Sequence, residues 1–116
     1  MAALLGSLVI SYALALIYSL CINPELRFWK AAYEQKIAWA QKLDTTGHPK
    51  TVFIGGSSCA FQIDAGLLTK KGIPSVNMGM HAGMGSRATA AFGLSVVNPG
   101  DTIVWAFEPD RLMIEP

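Results

Sequence analysis

The chemistry-bearing residues cluster around Gly55-Gly56-Ser57-Ser58-Cys59, which follows directly on the β-branched and aromatic run Thr51 to Ile54. A serine on a sharp strand-to-helix turn has its hydroxyl exposed at the edge of a sheet, and the N-terminus of the following helix stabilises negative charge developing nearby. Ser57 is therefore the candidate nucleophile for acyl transfer, and Gly55 and Gly56 permit the tight turn and the approach of a substrate carbonyl. A backbone N–H from Gly79 or Gly83, in the glycine-rich loop Gly79 to Gly85, would complete an oxyanion hole. The simpler use of a Ser-Ser pair here is as a helix N-cap.

A serine needs a general base to be nucleophilic at neutral pH. His81 lies on the loop after the second predicted strand and is the candidate within reach of Ser57, its simpler use being a bond to backbone. His48 precedes the first strand and lies at the other end of the sheet. The Cys59 thiol is a second possible nucleophile, although the third residue of such a helix start is more often buried filler. Asp64 is expected to order the turn region or face solvent, Glu108 with Arg111 reads simply as a surface pair, and no cluster has metal-ligand spacing. No cofactor is expected.

The elements that must position these residues form an α/β pattern. Thr51 to Ile54 reads as a strand, Cys59 to Lys71 as a helix closed by Gly72, and Pro74 to Met78 as a buried strand. A helix from Ser86 to Val97, the turn Asn98-Pro99-Gly100-Asp101 and a third strand, Thr102 to Phe107, apolar on both faces, complete it. Strand, helix, strand, helix, strand implies a parallel three-stranded βαβαβ unit. Functional positions in such a sheet lie at the C-terminal strand ends, here Gly55 to Ser58, Met78 to Gly85 and Phe107 to Arg111.

Before this unit the chain has another character. The 116 residues are 52% hydrophobic and 15% charged, yet Met1 to Pro24 contains no Asp, Glu, Lys or Arg. Ala2 to Ile22 is long enough, at 1.5 Å per residue, to cross a hydrocarbon core of about 30 Å, and it lacks the basic start and small-x-small site of a cleaved signal. A single transmembrane helix is expected over residues 1–22, in contact with lipid. Its small residues Gly6, Ser7, Ser11, Ala13, Ala15 and Ser19 would let another helix approach closely.

Asn23-Pro24 breaks that helix, and Leu26, Trp29, Tyr33, Ile37, Ala40 and Leu43 recur at the three-and-four spacing of an amphipathic helix from Glu25 to Leu43. Residues 23–50 are thus read as this juxtamembrane helix with the polar connector Asp44 to Lys50, and residues 51–116 as the globular domain. Phe28, Trp29, Tyr33 and Trp39 suit either a headgroup-level aromatic belt or packing on that domain. Arg27, Lys30, Lys36 and Lys42 after the span favour a cytoplasmic C-terminal part. A net charge of +1 leaves no footprint for a nucleic-acid backbone, and two cysteines make no disulfide scaffold.

VFIGGSSCAFQID, SVNMGMHAGMG and PGDTIVWAFEPDR, taken in that order over about residues 51 to 111, resemble the first half of the SGNH (GDSL-like) hydrolase family. The similarity is to its membrane-anchored branch, which includes accessory proteins of cell-envelope polymer acylation. The resemblance implies a partial SGNH/flavodoxin-like fold, the nucleophilic role for Ser57, an oxyanion role for Gly83 with Gly79 as the rival, and a globular part on the periplasmic side of a bacterial inner membrane. The departures are specific. Gly56 stands where the family has Asp, Glu108-Pro109-Asp110 stands where it has an oxyanion asparagine, and no block with an Asp and a His a few residues apart follows.

Three strands leave an unpaired edge and an incompletely covered core, so a further segment or a partner is expected to complete the domain. Two functional expectations follow. The favoured one is a single-pass membrane accessory or structural subunit that docks on other membrane-protein subunits through a degenerate or truncated SGNH-like domain. The other is a membrane-anchored serine esterase or acyltransferase acting on cell-envelope acyl groups, with its Asp/His block in a missing C-terminal region.

Overall fold

The computed structural model describes residues 2–107, and these divide into two compact units that meet in sequence between Ala32 and Tyr33. In the first unit, helix α1 (Ala2–Ile17) passes into a π-helical turn, Tyr18–Ile22, closed by Asn23 N–H donating to the Tyr18 carbonyl at 2.8 Å. Every side chain from Ala3 to Ile22 is exposed. This helix is long and apolar enough to cross a membrane. Helix α2 (Pro24–Asp44) starts where the sequence breaks: Asn23 Oδ1 accepts from Glu25 and Leu26 N–H, and Pro24 takes the first helical position, where a missing N–H costs nothing.

The second unit begins within α2 and contains the sheet. Strand β1 (Thr51–Gly55) lies at the centre, parallel to β2 (Ser75–Asn77) on one side and to β3 (Thr102–Ala106) on the other, in the order β2-β1-β3. The α/β expectation is met as a small parallel three-stranded sheet with helices. Parallel strands need crossovers, and here they are built from α3 (Ser57–Gln62), α4 (Ala65–Lys70) and α5 (Ser86–Leu94).

The buried core is Val52, Ile54, Val76 and Met78 from one face of the sheet with Ala40 and Leu43 of α2, and Tyr33, Ile37 and Trp39 pack against it. Gly93 lets α5 lie directly on Ile54, where any Cβ would collide. The apolar stripe of α2 from Tyr33 onward is therefore a packing face. Trp39 in particular donates its indole N–H to the Ser75 carbonyl at 2.9 Å, within the unit.

Two element boundaries differ from expectation for physical reasons. The single helix expected from Cys59 to Lys71 is two, because Ile63 is extended and Asp64 starts a new N-terminus by accepting the Leu67 N–H at 2.8 Å. Gly72, at φ +90°, ends α4 as expected, with Ile73 N–H returning to the Leu68 carbonyl. Helix α5 stops at Leu94, short of Val97, where Ser95 turns its hydroxyl onto the Phe92 carbonyl.

At the N-terminal ends of β1 and β3, Lys50 is buried with its ammonium 2.6 Å from both Asp44 Oδ1 and Asp101 Oδ2. The Lys50 N–H also donates to Asp101 Oδ1, so this ionic group joins the end of α2 to the starts of β1 and β3.

Candidate functional site: the serine turn and the glycine loop

Gly56, extended at φ −78° and ψ −158°, occupies the N-cap of α3 with no side-chain cap, and Ser57 is the first helical residue. Neither serine serves as the N-cap. Ser57 is half-buried, and among the described residues nothing hydrogen-bonds its hydroxyl. The loop after β2 lies against this turn. A Cβ on Gly56 would sit 3.7 Å from the Ala82 Cβ, and a Cβ on Gly79 would strike the Ala60 backbone, so only glycine allows that approach. The structure thus brings Ser57's turn and the Gly79 to Gly85 loop together, with the end of β3 alongside: a Cβ on Gly55 would collide with the Ala106 carbonyl.

The backbone donors expected to form an oxyanion hole are used within the loop. Gly79 N–H donates to Asn77 Oδ1 at 2.8 Å, and Gly79 is buried. Gly83 N–H donates to His81 Nδ1 at 2.9 Å, closing a 3-10 turn over Ala82–Met84. Accepting at Nδ1 places the proton of a neutral imidazole on Nε2, so His81 in this arrangement presents a donor there and not a base. Cys59 is buried, and its thiol faces Asn77 Oδ1 at 3.5 Å. Burial pushes that thiol up from its ordinary pKa, with Lys36 and the Gly79 N–H pulling weakly the other way.

Two residues that the motifs do not single out for this site, Asn77 and Lys36, organise this region. Asn77, buried at the end of β2, donates through Nδ2 to the carbonyls of Cys59 (2.8 Å), Ile63 (2.8 Å) and Ala60 (3.3 Å), satisfying the C-terminal end of α3, while its Oδ1 holds Gly79. Lys36 of α2 donates from Nζ to the Gly79 carbonyl at 2.6 Å. Burial lowers its pKa, and the nearby Cys59 opposes the shift. The Asn in SVNMG signals such a role, because a polar side chain in an otherwise apolar strand must find partners. Lys36 carries no comparable signal, since its place on the polar pattern of α2 reads as solvent-facing.

His48, as expected, lies before β1. Glu108 to Arg111, the third expected strand-end position, lies outside the described residues. Among those described, no group of three His, Cys, Asp or Glu is placed to hold a metal ion. Beside the site, α5 and β3 enclose an open, largely apolar cleft of about 460 Å³ lined by Ser86, Arg87, Ala90, Trp105 and Phe107. No family model, curated protein or solved structure matches the chain.

Proposed function

We propose that the chain is a single-pass membrane subunit without catalytic activity of its own, which joins a larger membrane-protein complex through a degenerate SGNH-like domain. The observation that carries this reading is the state of the serine turn: Gly79 N–H and Gly83 N–H, the donors a tetrahedral oxyanion would need, are held by Asn77 and His81. The loop therefore supports itself, and Ser57 has no base among the described residues. The wholly exposed apolar α1 supports the membrane anchor, with lipid and neighbouring subunits as its partners. The order β2-β1-β3 supports the SGNH/flavodoxin-like assignment, being the order in which flavodoxin-like sheets begin.

The globular unit is assigned to the periplasmic face of a bacterial inner membrane. Of the four basic residues that argue for the cytoplasm, Lys36 is held on the Gly79 carbonyl within the globular unit and is not a free juxtamembrane charge. Purification of the full chain from native membranes in mild detergent tests the subunit role. Companion membrane proteins in fixed stoichiometry are expected, and they should dissociate when Gly6 and Ala13 are replaced by Leu; a chain that elutes alone contradicts the role. Protease cleavage at Asp44 to Lys50 in sealed right-side-out vesicles tests the side.

One observation favours a second reading, a membrane-anchored serine esterase or acyltransferase. Gly56 takes the N-cap and leaves the Ser57 hydroxyl uncommitted at the start of α3. That reading requires an acid–base pair from outside the described residues. Loss of ester hydrolysis in a Ser57→Ala variant of the purified chain supports it.

A further inference from the structure

One bond in the glycine loop depends on a proton. His81 stands at the head of the 3-10 turn Ala82–Met84, and its ring Nδ1 accepts the Gly83 N–H at 2.9 Å. The ring lies so close to Gly83 that a Cβ there would meet Cε1 at 2.8 Å and Nδ1 at 2.9 Å. Only a neutral imidazole makes this bond, because an imidazolium carries a proton on both nitrogens and has no acceptor left. Protonation also sets a positive charge at the N-terminal end of the turn, where the backbone N–H groups point. The titration of an imidazole, which ordinarily falls between about pH 5 and 8, therefore replaces an attraction with a repulsion at this place.

The ends of the loop are held by bonds that the same pH change leaves alone. At its start, Met80 N–H donates to the Gly55 carbonyl at 3.0 Å, Gly79 N–H donates to Asn77 Oδ1, and Lys36 holds the Gly79 carbonyl. At its end, Thr89 N–H donates to the Gly85 carbonyl at 3.2 Å, and Gly85 takes φ +80°. Between these anchors the backbone contributes Met84 N–H to the His81 carbonyl at 3.1 Å and Gly85 N–H to the Ala82 carbonyl at 3.4 Å, the weak bonding of a short 3-10 turn. His81 is the one titratable side chain from Gly79 to Gly85. The elements packed against the loop bring Lys36 from α2, Cys59 from α3 and Arg87 from α5. Neither α3, α5, β1 nor β3 contains an Asp or Glu that would hold an imidazolium in place.

We propose that His81 is a pH-sensitive latch: neutral, it keeps the turn Ala82–Met84 folded beside the serine turn, where Ala82 meets Gly56; protonated, it releases the Gly83 N–H and lets residues 81–85 open. His81 is half-buried, so the proton reaches it from solvent. In acid the loop then presents, beside the Ser57 turn, a backbone donor that it withholds at neutral pH. The latch needs only the bonds within the loop and does not depend on the subunit role.

Nitrogen-15 NMR of the full chain in detergent, titrated from about pH 8 to 5, tests it. The His81 ring nitrogens report the tautomer and the midpoint, and at neutral pH Nδ1 should carry no proton. As the ring titrates, the Gly83 amide resonance should shift with the same midpoint. Its exchange with water, corrected for the intrinsic pH dependence, should rise about fivefold, the equilibrium worth of one ordinary hydrogen bond. His81→Asn keeps an acceptor near the Nδ1 position and does not titrate, so its Gly83 amide should not move. His48→Asn, before β1, should retain the wild-type transition. Helical circular dichroism should stay constant throughout, because the opening is local. A Gly83 amide that ignores the His81 titration, a ring that stays neutral down to about pH 5, or a transition that persists in His81→Asn would each overturn the proposal. The first two are read on the wild-type chain and stand even if the variant folds poorly.

Discussion

At the scale of single residues, Asn77 does more than any group the motifs point to. One side chain satisfies the end of α3 and fixes the first residue of the glycine loop, so its removal strands buried carbonyls and an N–H at once. Asn77→Ala is expected to cost about 3 kcal/mol, read as a lowered urea midpoint with unchanged slope, whereas Ser57→Ala should shift it by less than about 0.5 kcal/mol. Cys59 belongs to the same assembly. Its raised thiol pKa and burial predict that maleimide modifies it only in step with urea unfolding; rapid labelling of Cys59 in the native chain contradicts that placement.

The buried Lys50 group sets the pH response. Burial opposes ionisation of Asp101, but the Lys50 ammonium and the N–H groups of Lys50 and Asn98 outweigh it and hold the carboxyl below its usual 3.8. For Lys50 too, burial lowers the pKa, and Asp101 and Asp44 outweigh it, holding the ammonium above 10.5. A depressed carboxyl stabilises the fold above its unfolded pKa and loses that contribution as pH falls through the folded value. A raised lysine contributes below its unfolded pKa and loses it as pH rises through the folded value. The contribution of this group, measured by denaturant titration, should therefore be flat between about pH 5 and 9 and fall in acid. Asp101→Asn should remove about 3 kcal/mol at neutral pH, because it leaves a buried ammonium with half its counter-charge.

At the scale of elements, the three strands, the helix break at Asn23-Pro24 and the Gly72 stop are legible because each rests on local chemistry: β-branched runs, a proline at a first helical position, a glycine at positive φ. The split between α3 and α4 is not, because Ile63-Asp64 has no breaker. What separates the helices is Asn77, 14 residues away, drawing on the Ile63 carbonyl. The expectation of an unpaired edge comes from counting strands, but the covering of the β2 edge depends on Trp39, Thr69 and Lys36 reaching it across the fold. Trp39→Phe tests the closure of that edge. It keeps the ring and removes the indole donor, and it should cost about 1 kcal/mol while leaving the helical circular dichroism unchanged.

At the scale of the whole molecule, the low charge has two sources that the fold separates. One is α1 with its π-helical turn, apolar on all sides, exposed throughout, and long and apolar enough to cross a membrane. The other is a sheet whose central strand is buried and whose β3 pairs with no further strand among the described residues. The site motifs are legible as a serine turn facing a glycine loop, and the structure does place those two segments in contact. What the residue types do not reveal is that the loop's N–H groups are already occupied, because hydrogen bonding between Asn77 and Gly79, and between His81 and Gly83, is a matter of geometry. On the function proposed above, this turn supports a membrane subunit and does not perform acyl transfer. The most direct test of that reading is the intact mass of the full chain, in detergent, after incubation with a fluorophosphonate probe. The unmodified mass is predicted, and a stoichiometric adduct on Ser57 that disappears in Ser57→Ala would contradict it.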